Sequence, residues 1–181
     1  TPADITADPE GYARVLSELE RGIRMVTGLQ VIRSDTPGWI GVACESDDMA
    51  LWLLLDFDAQ KLEAKSKALE MARLAWAELD HLAVPAYLED SGNKGYHLWV
   101  FLSAPTKAAM LQELGTRLLN KIRQEGEFAD VEVEVFPKQA KLDNGDFGNL
   151  VKLPLGVHQK TGRRCEFIRP DGTRIEDQQA F

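Results

Sequence analysis

Asp56 and Asp58 stand one residue apart at the end of ALWLLLDFD, the most apolar segment of the 181-residue chain. In an extended segment successive side chains alternate between faces, so both carboxylates are aimed to the same side. Negative charge beside so much apolar surface is costly unless something neutralises it. One reading is structural: Asp58 caps the segment after it and Asp56 is a solvated strand end. The other is a site for hard cations. Oxygen donors suit magnesium or manganese, and two such ions can hold the attacking and leaving oxygens of a phosphoryl transfer. Holding two ions calls for a third carboxylate. VEVEVF offers Glu132 and Glu134 on one face of a later segment. Glu134, beside VFPKQ, is the first choice and Glu132 the alternative, although alternating Glu and Val also describes an ordinary half-exposed strand.

A second group of residues lies in SGNKGYHLWVF. Gly92 and Gly95 allow the backbone to approach an anion closely, Lys94 adds a point charge, and Ser91 and His97 add donors, a composition suited to cradling phosphate. The simpler reading is a hairpin turn followed by a packed histidine. Against it, an imidazole at the head of an apolar strand is an awkward core residue and a useful phosphate contact. In GNLVKLPLGVH, Lys152 alternates with Val151 and Leu153 and so faces away from them, His158 follows a turn, and Lys138 lies close in sequence to Glu134. Lysines on a sheet face are otherwise plain surface residues.

The elements that must position these groups follow from periodicity. Helical spacing runs from about Asp8 to Val26, and again from Glu63 to Leu79, where Leu69, Ala72, Trp76 and Leu79 form a stripe. Ala50 to Leu55 is too short for a helix and suits a buried central strand. Val84 to Leu88, the SGNKG turn and Tyr96 to Leu102 predict a β-hairpin. Ala109 to Ile122 predicts a further helix, Val131 to Val135 a strand, and the tail from Lys160 short strands and turns. The order β, α, β, β, α, β over residues 51 to 136 is that of a split βαβ sheet, as in ferredoxin-like and RNA-recognition-type folds.

Composition narrows the function classes. With 44% apolar residues, the chain is long enough for one compact unit, or two small modules sharing a core. No uninterrupted apolar run approaches the ~20 residues needed to span a bilayer, so no membrane partner is expected. Lys and Arg number 21 against 29 Asp and Glu, a net charge of −8. That balance argues against tight binding of nucleic acid through a generally basic surface, but not against local handling of nucleotides. Cys44 and Cys165 lie far apart with no Cys or His cluster around them, so neither zinc nor a disulfide is expected. The opening TPADITADPEGY lacks the features of a signal peptide, which makes the cytoplasm the expected location. It also lacks an initiating Met, which suggests a domain of a longer protein.

Taken together, these residues resemble the catalytic domain of the archaeo-eukaryotic primase superfamily, the primase-polymerases. That family carries a paired acid, a small-x-His element and a hydrophobic-acid pair, matched here by Asp56 and Asp58, by Gly95-Tyr96-His97, and by Val133-Glu134. SGNKGYH is similar to the glycine-rich turn in polymerase domains of bacterial end-joining ligases. VEVFPKQ followed by GNLVKLPLGVH is closer to primase-polymerases of bacterial conflict systems and CRISPR-associated proteins. The resemblance covers about residues 50 to 168. It implies an α+β catalytic domain spanning residues 1 to 181, in which an N-terminal α/β module (about 1 to 50 of it) packs on an RNA-recognition-type module with the active site in the cleft between them. It further implies template-directed nucleotidyl transfer to a primer on DNA or RNA, with Asp56, Asp58 and Glu134 holding two magnesium or manganese ions. Ser91, Lys94, Gly95, His97 and Lys152 would serve the phosphates of a nucleoside triphosphate, with His158 and Lys138 nearby. No Cys/His zinc module accompanies the motifs, so primer extension is implied more directly than priming from scratch. A metal-dependent nuclease would also use the acids, without a purpose for the glycine turn. A binding module stacking bases on Trp99 and Phe101, which share a face with His97, is the third reading.

Overall fold

The computed structural model describes residues 30–33, 40–43, 48–141, 149 and 151–178. The helix expected between Asp8 and Val26, and Cys44, lie outside the described residues. Two antiparallel sheets and two helices longer than one turn are seen among the described residues. The larger sheet has five strands: β3 (Met49–Ala59), β4 (Tyr87–Asp90), β5 (Gly95–Lys107), β6 (Val131–Phe136) and β8 (Glu166–Ile168), in the order β6-β3-β5-β4-β8. The smaller joins β1 (Gln30–Arg33), β2 (Ile40–Ala43) and β7 (Val151–Lys152). Helix α1 is Lys65–His81, preceded by a 3-10 turn at Leu62–Ala64, and α2 is Ala108–Ile122. The chain is therefore α+β. From β3 to β6 it follows the split βαβ order expected from the sequence, with every strand pair antiparallel.

Strand β3 explains the arrangement. Its near-continuous apolar run is buried on both faces, which only a central strand achieves. Leu53, Leu55, Phe57 and Ala59 point to the helical side, where they share a core with Ala68, Met71, Ala72 and Ala75 of α1 and with Leu111, Leu118 and Ile122 of α2. The small alanines of α1 make the close contact, while Leu69 and Trp76 of the expected stripe sit partly buried at its flank. Packing a helix tightly on a sheet favours small residues at the point of nearest approach, which spacing alone does not reveal.

On the other side of the sheet Trp52, Leu54, Trp99, Phe136, Phe167 and Ile175 form a second core with Val151 of β7, so the smaller sheet packs there. A register irregularity between Ala50 and Trp52 explains why these two even-numbered residues enter different cores.

One strand departs from expectation. The hairpin's first strand is Tyr87–Asp90 rather than Val84 to Leu88. Pro85 has no N–H to give to a ladder, and Ala83 turns the chain with φ of 56°. The shift carries the strand through Glu89. Among the described residues no helix is long and apolar enough to cross a membrane.

Phe57 is wholly buried between the two aspartates, facing the helices. Phe57→Ala should destabilise the domain by about 3–5 kcal/mol, through lost burial and an unfilled cavity. Denaturant unfolding will show this as a fall in midpoint.

Candidate active site

Antiparallel register decides which side chains meet. Asp56 lies opposite Glu134 on β6 and opposite His97 on β5, and His97 in turn lies opposite Glu89 on β4. Glu134, Asp56, His97 and Glu89 thus form one row across four strands, on the face away from the helices. On one side the row abuts Phe136, Leu54, Trp99 and Tyr87, and on the other Glu132, Asp58 and Gly95. The polar row therefore begins where the second core ends.

His97 is only 5% exposed. Its Nδ1 lies 2.7 Å from Glu89 Oε2, and its Nε2 lies 3.7 Å from Asp56 Oδ1. Burial of the ring disfavours the imidazolium, but the hydrogen bond to Glu89 and the charges of Asp56 and Glu89 outweigh it and hold the His97 pKa above its ordinary value. Asp56 retains 28% side-chain exposure yet is densely surrounded. Desolvation raises its pKa, and the like charges of Asp58 and Glu134 add to the shift, against the opposing pull of His97 and Lys152. The carboxylates thus repel one another across the strands, and protein cations only partly offset that. Lys94 Nζ stands 3.4 Å from Asp58, and Lys138 Nζ stands 2.6 Å from Glu134 while resting over the Phe136 ring.

The 91–95 turn is tied from both sides. The Ser91 amide donates to the Gly95 carbonyl, and the Gly95 amide donates to Ser91 Oγ. Lys152 Nζ and Cys165 Sγ both donate to the Ser91 carbonyl, at 2.7 and 3.1 Å. Burial pushes the Cys165 thiol pKa up. Thr161 Oγ1 donates to the Gly92 carbonyl at 2.8 Å and lies 3.2 Å from His158 Nδ1. Partial burial, then the charges of Lys152 and Lys160, lower the pKa of His158.

Asp56, Asp58, Gly95, His97 and Glu134 therefore fall on one face and Ser91 and Lys94 in its adjoining turn, while Lys138 follows β6, Lys152 is on β7 and His158 lies in the segment after β7, and several are already engaged. The Ser91 hydroxyl closes its own turn, Lys138 is held by Glu134, and Lys152 is held by a backbone carbonyl. Glu132 and Glu134 both border the acid pair, Glu132 opposite Asp58 and Glu134 opposite Asp56, and it is Glu134 whose charge bears on Asp56. Trp99 is wholly buried, its indole N–H donating to Glu89 at 3.0 Å and its ring stacked on Phe101. It is not an open platform for a base, which removes the main support for the simple binding-module reading. Glu89 was missed by sequence reasoning. The signal was present in the hairpin: once Ser91 and Gly95 close the turn, Asp90 must face Tyr96 and Glu89 must face His97.

Residues 38–181 match the model of the family described as TOTE conflict system, Archaeo-Eukaryotic Primase domain. The chain belongs to this family. Membership supports a nucleotidyltransferase or primase role. Among solved structures the chain is similar to the "Polymerase Domain from Mycobacterium tuberculosis Ligase D in complex with DNA", at 18% identity and a TM-score of 0.46, over 75% of this chain and 46% of that one. The chain thus spans less than half the length of that structure's chain. A comparison with curated proteins gives no match.

In this primase-family domain the paired acids, the Gly95-Tyr96-His97 element and Val133-Glu134 occupy three neighbouring strands in register. Oxygen donors of this kind, carrying like charges that raise the Asp56 pKa, fit a hard divalent cation. Among the described residues, however, no three His, Cys, Asp or Glu side chains are gathered into a metal-holding group. Asp58 and Glu134 are instead each paired with a lysine, Lys94 and Lys138.

Gly95 is required for the acid pair to sit where it does. A Cβ there would meet Asp58 Oδ1 and lie 2.6 Å from the Phe57 carbonyl oxygen. Gly95→Ala should cost about 1–3 kcal/mol of stability, as overpacking against backbone does. A calorimetric scan that leaves the unfolding temperature unchanged would contradict this close approach.

Proposed function

We propose that this domain is the catalytic core of a template-directed nucleotidyltransferase, adding nucleotides from nucleoside triphosphates to the 3′-hydroxyl of a primer on DNA or RNA. The observation that carries the reading is the register that sets Asp56 between Glu134 and His97, with Asp58 beside it, in a member of a primase family. Asp56, Asp58 and Glu134 would hold magnesium or manganese. When bound, such ions supply a lowered pKa for the attacking hydroxyl and charge neutralisation for the triphosphate.

The chain's own residues supply the rest. His97, whose Nδ1 is bonded to Glu89, would when protonated offer Nε2–H to a phosphate oxygen. Lys152 and Lys94 add positive charge beside the 91–95 turn, and Ser91 and Gly95 shape that turn. His158 and Lys138 border the same region, Lys138 being free to leave Glu134 once that carboxylate has another cation. Together they would orient the α-phosphorus for attack by the 3′-hydroxyl, with pyrophosphate leaving.

The split βαβ unit would serve as the RNA-recognition-type module, and residues 1 to 50 would contribute to a second module across a cleft. The domain is read as one catalytic unit over residues 1 to 181, working in the cytoplasm beside further domains of a longer polypeptide that grip the primer-template.

Labelled primer-template incubated with manganese, with and without nucleotides, tests the reading. The wild-type domain should lengthen the primer, and a chelator should stop it. Asp56→Ala and Asp58→Ala should each reduce incorporation to background. Because these substitutions relieve repulsion among carboxylates, their unfolding temperatures should equal or exceed that of the wild type. Primer shortening, independent of nucleotides, would instead assign a nuclease. Retained extension in the double alanine variant would overturn the assignment of the acids.

A further inference from the structure

Glu89 is wholly buried, at 0% exposure, in a sheet position where an apolar side chain would satisfy both packing and backbone pairing. Its carboxylate instead gathers three donors from two segments: His97 Nδ1 at 2.7 Å and the Trp99 indole N–H at 3.0 Å, both on β5, and the Leu155 amide at 2.6 Å. A buried ionised carboxylate persists only when paired and hydrogen-bonded to this degree. Being an acceptor only, it takes the Nδ1–H of His97 in either charge state and leaves Nε2 facing the acids, an acceptor in the neutral ring and an N–H donor once the ring is protonated. Nε2 stands 3.7 Å from Asp56, beyond hydrogen-bond distance, so that nitrogen is aimed at the site without being consumed by Asp56.

The other carboxylate oxygen holds Leu155, a non-glycine residue in the left-handed region with φ of 60°. Leu155 lies in the turn between Lys152 and His158. One side chain thus joins the strand that carries His97 to the segment that carries the nearby lysine and second histidine.

We propose that Glu89 is a positioning residue: it sets the tautomer and direction of His97 and locks that ring in register with the 152–158 segment, so that both meet the same triphosphate. This rests on the proposed nucleotidyl transfer for its purpose, but not for its geometry.

The first test needs no activity. Nitrogen NMR of the metal-free wild-type domain at alkaline pH, where the three histidines of the chain are distinguished by substituting His81 and His158, should find a proton on Nδ1 of His97. A neutral ring protonated on Nε2 would overturn the proposal. Glu89→Gln should move the proton toward Nε2, because the amide's single oxygen cannot serve three donors and its NH2 can donate to Nδ1.

The second test is kinetic. Glu89→Gln should raise the nucleotide KM by ~10-fold, because the neutral ring it leaves donates to phosphate more weakly than the imidazolium that Glu89 favours, with kcat changed by less than ~3-fold. In a His97→Asn background, where the amide nitrogen replaces Nδ1 and Nε2 is absent, the same substitution should change KM by less than ~2-fold. Equal penalties in the two backgrounds would show that Glu89 does not act through His97. If Glu89→Gln does not fold, the wild-type spectrum still decides the proton's position. If the wild type adds no nucleotides, the functional reading fails while the spectrum still decides the role of Glu89.

Discussion

The pairing of β3 with its two antiparallel neighbours is the constraint on which the remaining structure depends. A strand can present its side chains to two faces, and β3 gives one entirely to the helices while dividing the other between tryptophan, leucine and aspartate. Because pairing residues lie directly opposite one another, setting Leu54 against Phe136 and Trp99 also sets Asp56 against Glu134 and His97. A slip of one residue on either side would send the acids into the helical core and bring valines to the site. The hydrophobic pattern that stabilises the sheet is thus the same device that aligns the chemistry, and the site needs no separate scaffold.

That economy has an electrostatic cost. Carboxylates at adjacent register positions repel, and Asp56, the most enclosed of them, shows the effect most clearly. Three separate compensations surround it: Lys94 at Asp58, Lys138 at Glu134, and His97, whose pKa Glu89 helps to raise. The exposed lysine pairs contribute little to stability, since solvent screens them and flexible side chains lose entropy in holding them. Their consequence is orientation. Each directs one carboxylate toward an ammonium group near the surface, whereas the His97–Glu89 pair lies buried behind them.

Much of this was legible in the sequence where a strong periodic signal met a chemical one. The apolar run before Asp56, the alternation around Glu134 and the glycines flanking Lys94 each located an element and the candidate residues it carries. What was not legible was partnership. Periodicity shows which face His97 occupies but not that it is buried, because burial depends on the tail from β7 to β8 folding back over the strand. Nor did composition single out Glu89, one acid among 29 Asp and Glu residues. The misplaced start of β4 hid it as well: with the strand ending at Leu88, Glu89 reads as part of a turn. Pro85 was the available warning, since it cannot donate within a ladder.

The net charge of −8 acquires a different meaning once these positions are known. Asp56, Asp58, Glu132, Glu134 and Glu89 concentrate negative charge on one sheet face, while Lys94, Lys152, Lys160 and Arg163 lie on or beside the turn that borders it. The domain therefore carries its polarity as a local gradient rather than as a uniform acidic surface. A polyanion approaching the acids alone would be repelled, and one approaching the turn alone would find only a few cations. Under the nucleotidyl transfer proposed above, binding would become favourable where divalent cations reverse the sign of the acid face, so that its field and that of the lysines act in the same direction. Such a domain would favour a nucleotide that arrives with its metal and would leave the sequence-independent grip on a longer strand to surfaces other than this one.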